Sequence, residues 1–312
     1  MKKNRVSLFL LISAAFLLFM YVFSFTELVN PKDSRKKIQT ALLNPKNVSK
    51  IYKIELSTGD TLLQFNKTND FWSISDSINS SAGVPADTVK INDFLAELSE
   101  IRFMYITSKK ADKKYRENFG LTDGSQFKIK YYYDENSSEE LIFGNQDFSQ
   151  TSRYMMTGNN FQVFEIDDSL DKFLSTSVQV WSDPMIISQF VMSKISSGDI
   201  QTIETEYDED NQIKLKKISS LKIADWNDRI SKLLELRHGG ICNESDIEIN
   251  NAIKTKIELG NKAFIIIDIG KLADDEGYKV ECSYYSDRNK LIYKSSEKIS
   301  AWTYNKIKEI IL

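Results

Sequence analysis

A chain of 312 residues with 41 basic and 44 acidic side chains, at a formal charge of -3, has no basic surplus with which to grip a nucleic acid backbone. Hydrophobic residues at 41% supply material for a packed core, and the length leaves room for about two domains. One histidine, His238, and two cysteines, Cys242 and Cys282, exclude a zinc site built from His and Cys, and no glycine pair stands at the spacing of a phosphate-cradling loop.

In chain order, the basic tail of residues 1–5, with Lys2, Lys3 and Arg5, precedes an uncharged run over residues 6–26. A helix needs about 20 apolar residues to cross the hydrocarbon core, so the run predicts a transmembrane anchor in the lipid bilayer. A long cleavable signal is the alternative, since Val22, Ser24 and Thr26 are small, although signal cores usually hold about 7–15 apolar residues. The short tail flanking the run predicts residues 1–5 in the cytoplasm and the body on the extracytoplasmic side of the cytoplasmic membrane. Residues 27–47 read as a polar linker.

Beyond the linker the expected fold class is α+β: two tandem copies of a mostly antiparallel β-sheet unit with two helices each, over residues 48–175 and 199–312, joined by a connector at 176–198. The first copy opens with Ile51–Leu56, a turn at Thr58-Gly59-Asp60, then Leu62–Phe65 and Phe71–Ile74. Alternating apolar and polar residues bounded by turn formers give these stretches their strand reading. The second copy opens with Ile200–Thr205, an acidic turn, Ile213–Leu215 and Leu221–Ile223 at matching offsets. A helix follows in each. Asp87 caps the first, with Ile91, Phe94, Leu95, Leu98 and Ile101 on one stripe; Asp225 caps the second, with Trp226, Ile230, Leu233 and Leu234. Each copy closes with strands and another helix, near Ser169–Leu174 in the first and Ser300–Leu312 in the second.

Paired carboxylates are the plentiful catalytic residue type here, able to act as acid and base where their environments separate their pKa values. The pairs Glu139-Glu140 and Asp167-Asp168 and the triplet Asp274-Asp275-Glu276 qualify by type, but each falls in a predicted turn or helix start, where solvated acids are favoured. The cluster Glu204, Glu206, Asp208, Glu209 and Asp210 lacks the Gly and the terminal Glu of a calcium loop and reads as a solvated hairpin. Lys109, Lys110, Lys113, Lys114 and Arg116 read as a solvated basic loop, and His238 as a residue near a helix's carbonyl end. The row Tyr131, Tyr132 and Tyr133 places at least one ring on each strand face. No catalytic, cofactor or metal residue is assigned, and the chain is not expected to be an enzyme. Cys242 and Cys282 read equally as one disulfide or two buried thiols.

The order Ile51-x-x-Ile54, Trp72-Ser73-Ile74, Pro85-Ala86-Asp87 before a helix, Phe119-Gly120-Leu121, then Leu141-Ile142-Phe143-Gly144 resembles the bacterial family labelled domain of unknown function 4340. The resemblance implies one amino-terminal membrane span, an extracytoplasmic body, and the company of ABC-type transport systems of the kind linked to gliding motility. It supplies no catalytic residues. The expected function is that of an accessory or scaffold component of an ABC-type transport or envelope system, acting by protein contacts with a permease and an ATPase, the latter because the chain has no Walker loop. An envelope glycan-binding module and a carboxylate-based hydrolase are the alternatives.

Overall fold

The computed structural model describes residues 13–21, 36–68, 71–76, 83–122, 124–158, 161–195, 200–209, 212–219, 227–242, 250–272 and 277–312. Residues 13–21 are helical and are labelled α1. A first sheet is built from β1 (Lys37–Thr40), β2 (Lys53–Thr58), β3 (Thr61–Thr68), β4 (Phe71–Asp76), β5 (Val84–Pro85), β6 (Arg102–Ser108), β7 (Phe127–Asp134), β8 (Ser137–Gln146), β9 (Ser152–Thr157) and β10 (Val163–Asp167). Helices α2 (Thr88–Ser99) and α3 (Lys113–Asn118) interrupt it. Helices α4 (Val178–Trp181) and α5 (Gln189–Lys194) lead to a second sheet of β11 (Ile200–Glu209), β12 (Gln212–Ser219), β13 (Gly240–Ile241), β14 (Asn250–Leu259), β15 (Phe264–Lys271), β16 (Tyr278–Tyr285) and β17 (Leu291–Ile299). Helix α6 (Asn227–Leu234) lies between β12 and β13, and α7 (Ala301–Ile311) ends the chain.

The pairings between these strands are antiparallel. The first sheet runs β1-β6-β10-β9-β8-β7-β2-β3-β4-β5 and the second β12-β11-β14-β15-β16-β17-β13. Read from β6 to β3, the first sheet has the strand order that the second has from β13 to β12, and it adds β1 at one edge and β4 and β5 at the other. Strand alternation explains the cores. Ile54, Leu56, Leu63, Phe65, Ile129, Tyr131 and Phe143 turn one face of the first sheet toward Ile91, Phe94, Leu95 and Leu98 of α2. In the second sheet Ile265, Ile267, Ile269, Val280 and Cys282 face Phe190 and Val191 of α5 and Ile307 and Ile311 of α7. Asp87 caps α2, its carboxylate accepting from Lys90 N at 3.1 Å, and Ser300 caps α7 through Thr303 N at 3.1 Å.

Two expectations are corrected. The membrane-crossing helix expected over residues 6–26 is not found among the described residues, of which 13–21 in that stretch are helical. Among the described residues no helix is long and apolar enough to cross a membrane, and residues 6–12 and 22–26 lie outside them. The second helix of the first unit is also misplaced: it is α3, not the stretch near Ser169–Leu174. The stretch near Ser169–Leu174 is a 3-10 turn, Asp171–Phe173, whose N-terminal Leu170 has no side chain to cap a longer helix. Within the expected basic loop, Asp112 caps α3 by accepting from Tyr115 N at 2.7 Å. The expected cap Asp225, Trp226 and the stretch Leu221–Ile223 lie outside the described residues.

Residues between the sheets belong to both cores. Trp181 is buried against Phe65, Phe94 and Phe173 of the first unit, and Ile186, Ile187, Phe190 and Val191 are buried in the second. Phe71 of β4 crosses over to touch the rings of Phe190 and Tyr293.

Candidate functional site

The end of α2 and the outward faces of β6 and β10 frame a cleft of about 510 Å³. Its origin is local. On β6, Met104 turns into the core, so Phe103 and Tyr105 turn out; on β10, Phe164 and Ile166 turn in, so Glu165 and Asp167 turn out. Helix α2 stops at Ser99, with the Glu100 N–H bonded to Glu97 O, which throws Ile101 outward to 64% exposure instead of continuing the buried stripe. Arg102 forms the floor, with its guanidinium on Asp167 Oδ1 at 3.2 Å, Ser169 Oγ at 2.9 Å, Glu97 Oε1 at 3.3 Å and the Glu97 carbonyl. Glu165 accepts from Ser152 Oγ at 2.9 Å, and Lys37 of β1 sets its ammonium 3.4 Å from the centre of the Phe103 ring. Apolar rings, a half-spent set of carboxylates and an anchored cation make a surface suited to contact. Of the lining hydroxyls, Ser152 donates to Glu165 and Ser169 accepts from Arg102.

A second polar cluster is buried where the connector meets the second sheet. Asp183 donates its N–H to Pro85 O at 3.0 Å, and its carboxylate accepts from Met185 N at 3.0 Å and Gln189 N at 2.9 Å. Its carbonyl lies 2.6 Å from His238 Nε2, so that nitrogen carries the proton and donates. Burial pushes the Asp183 carboxyl up to about 6 against the lowering effect of those backbone bonds. On β17, Tyr293, Ser295 and Glu297 all point inward. Burial pushes Glu297 up to about 8; Ser295 offsets part of this, and nearby Asp183 adds to it. Its Oε2 finds no hydrogen-bond partner. Two carboxyls with separated pKa values are what acid–base hydrolysis requires, but neither lines the cleft beside β6 or three other surface clefts.

The acidic pairs singled out from sequence come apart. Glu139 and Glu140 are successive residues on β8 and so face opposite ways; Glu139 lies 3.1 Å from the hydroxyls of both Tyr131 and Tyr133. Asp167 binds Arg102, whereas Asp168 binds Arg153 Nε at 2.7 Å. Glu204 pairs with Lys217 across β11 and β12, and Glu206 and Asp208 follow on the same strand face. Asp210 and the triplet Asp274-Asp275-Glu276 lie outside the described residues. The tyrosines divide as well: Tyr131 is wholly buried, and Tyr132 donates to Glu55 Oε2 at 2.6 Å. His238 sits past the end of α6 against the connector, and burial lowers its pKa. Arg116 of the basic stretch stacks its guanidinium 4.8 Å from the centre of Phe161. Cys242 and Cys282 are both buried and form no disulfide. Among the described residues no group of three or more His, Cys, Asp or Glu is placed to hold a metal ion. Sequence reasoning missed the cleft because Ile101 read as core and Phe103 carried no motif; the strand alternation of Arg102–Ser108 was the available signal.

Two of the motif segments prove to be one structural clasp. The Phe119 carbonyl accepts from Asn145 N at 2.8 Å, and a Cβ on Gly144 would stand 2.0 Å from that same oxygen. Gly120, at φ 67°, makes the turn that delivers Leu121 to a small cluster with Ile142 and Met156. A family model described as "Domain of unknown function (DUF4340)" matches residues 72–246, from β4 past β13. No curated protein and no solved structure matches the chain.

Proposed function

Since the chain belongs to the DUF4340 family, whose description names no activity, we propose that it works by protein contact, as an accessory or scaffold component of a bacterial ABC-type transport or envelope system. The observation that carries this reading is the cleft beside β6, where Ile101 in the turn after α2 and Phe103 on β6 are exposed next to carboxylates. Surfaces of this mixed character serve as protein contact patches. Of the acids singled out from sequence, Asp167, Asp168 and Glu204 are engaged with Arg102, Arg153 and Lys217. The transport system is the part of the reading drawn from the company that family members keep.

The test is a mild crosslink on native membranes followed by recovery of a tagged chain. Recovery of a permease and an ATPase of the ABC type supports the proposal. Recovery of envelope glycan without protein overturns it.

A further inference from the structure

The turn between β8 and β9 presents one side chain in an unusual way. Phe148 stands at its tip with a relative exposure of 107%, the largest among the exposed large hydrophobic residues of the described chain. The turn beneath it is closely braced. The Asp147 carboxylate accepts from Ser149 N at 3.2 Å, from Thr151 N and Ser152 N at 3.0 Å each, and from the Ser149 hydroxyl. Gln150 N bonds back to Asp147 O at 3.1 Å, Asp147 N bonds to Ser152 O at 2.9 Å, and Ser149 and Thr151 join hydroxyls at 2.7 Å. Below the turn Arg153 ties its guanidinium to Asp168, Asp171 and Gly144 O, so the base of the hairpin is fixed to the body. The turn runs directly into Ser152, which lines the cleft beside β6.

We infer that Phe148 is the anchor of the contact surface, inserting into an apolar pocket of a partner protein while the neighbouring cleft seats the surrounding contacts. This deepens the contact reading and rests on it. An aromatic ring held in its bound position before association loses little conformational freedom on binding, and such rings dominate interface energetics when they enter a pocket. The charges argue for protein over a lipid surface. Residues 146–152 contain no Lys or Arg, and the charge beside the ring is the Asp147 carboxylate, which anionic headgroups would repel. The first cation beyond the turn, Arg153, is committed to Asp168 and Asp171.

The experiment crosslinks full-length tagged chain on native membranes and compares Phe148→Ala, Phe148→Leu and, as a control on α2, Val89→Ala, whose parent side chain is also solvent-exposed. The expected result is about a tenfold loss of every partner recovered with the parent chain for Phe148→Ala, partial retention for Phe148→Leu, and no change for Val89→Ala. Thermal midpoints should agree across the set, because neither position is buried. Capture alone supports nothing; dependence on Phe148 does. Equal recovery with Phe148→Ala overturns the inference and leaves the contact reading standing. Recovery of no protein even with the parent chain removes both. Flotation of the chain with vesicles of equal parts phosphatidylcholine and phosphatidylglycerol, lost in Phe148→Ala, overturns the inference in favour of a lipid surface.

Discussion

Glu297 holds a carboxyl in the core of the second sheet with one oxygen unpartnered, an arrangement that links stability to pH. Its folded pKa of about 8 lies above the ordinary 4.5, so the native chain keeps a proton that the unfolded chain has given up. The resulting stabilisation is complete below about 4.5 and is lost progressively as pH rises toward 8. Asp183 adds a smaller loss of the same sign between 3.8 and about 6. Glu297→Gln keeps the shape and removes the titration. Urea melts should find it equal to the parent near pH 4.5 and more stable by on the order of 2–4 kcal/mol at pH 8.5; parallel pH profiles for the two proteins would sink the assignment. Arg102 is the opposite case, a buried charge whose partners compensate it. Arg102→Met leaves Asp167 without its cation and Glu97 with Lys172 alone, and should cost about 2 kcal/mol, read as a lowered urea midpoint at unchanged slope.

Capping and closure decide where elements end. Asp87, Asp112 and Ser300 each satisfy a backbone donor at a helix start, and the first and last of these helices were legible because cap and apolar spacing agree. The end of α2 was not legible. Ile101 continues the spacing of Phe94, Leu95 and Leu98, but Arg102 must enter β6, so the helix closes at Ser99 and Ile101 is turned out into the cleft. The Phe119–Gly144 clasp is a second such point. Gly144→Ala would drive a methyl into the Phe119 carbonyl, so α3 and its turn must shift; the expected cost is about 2 kcal/mol or more, with α3 losing hydrogen-exchange protection before the sheet does. Protection that falls uniformly, or does not fall, would show that the clasp does not hold α3.

Cooperation between the two sheets rests on few groups. Trp181 and Phe190 plant the connector in one core and then the other, Asp183 bonds to Pro85 and receives His238, and Phe71 carries the first sheet into the aromatic group of the second. Phe71→Ala removes the ring contacts to Phe190 and Tyr293, and calorimetry should then resolve two transitions where the parent shows one. A single transition at lower temperature would mean that the connector alone couples the units. Period-two alternation, turn residues and helix caps act over a few neighbours, so the chain's own order of residues was enough to specify strands, antiparallel pairing and the capped helices. Length of an apolar run is likewise local, yet among the described residues no helix is long and apolar enough to cross a membrane, so the expected span over residues 6–26 is not found there. Which acids pair, which are sealed, and which rings stay in water depend on strands distant in sequence becoming neighbours. Asp167 meets Arg102 only because β10 lies beside β6, Glu297 feels Asp183 only because the connector packs into the core of the second sheet, and the Phe148 ring stands in water above a turn that the folded body braces.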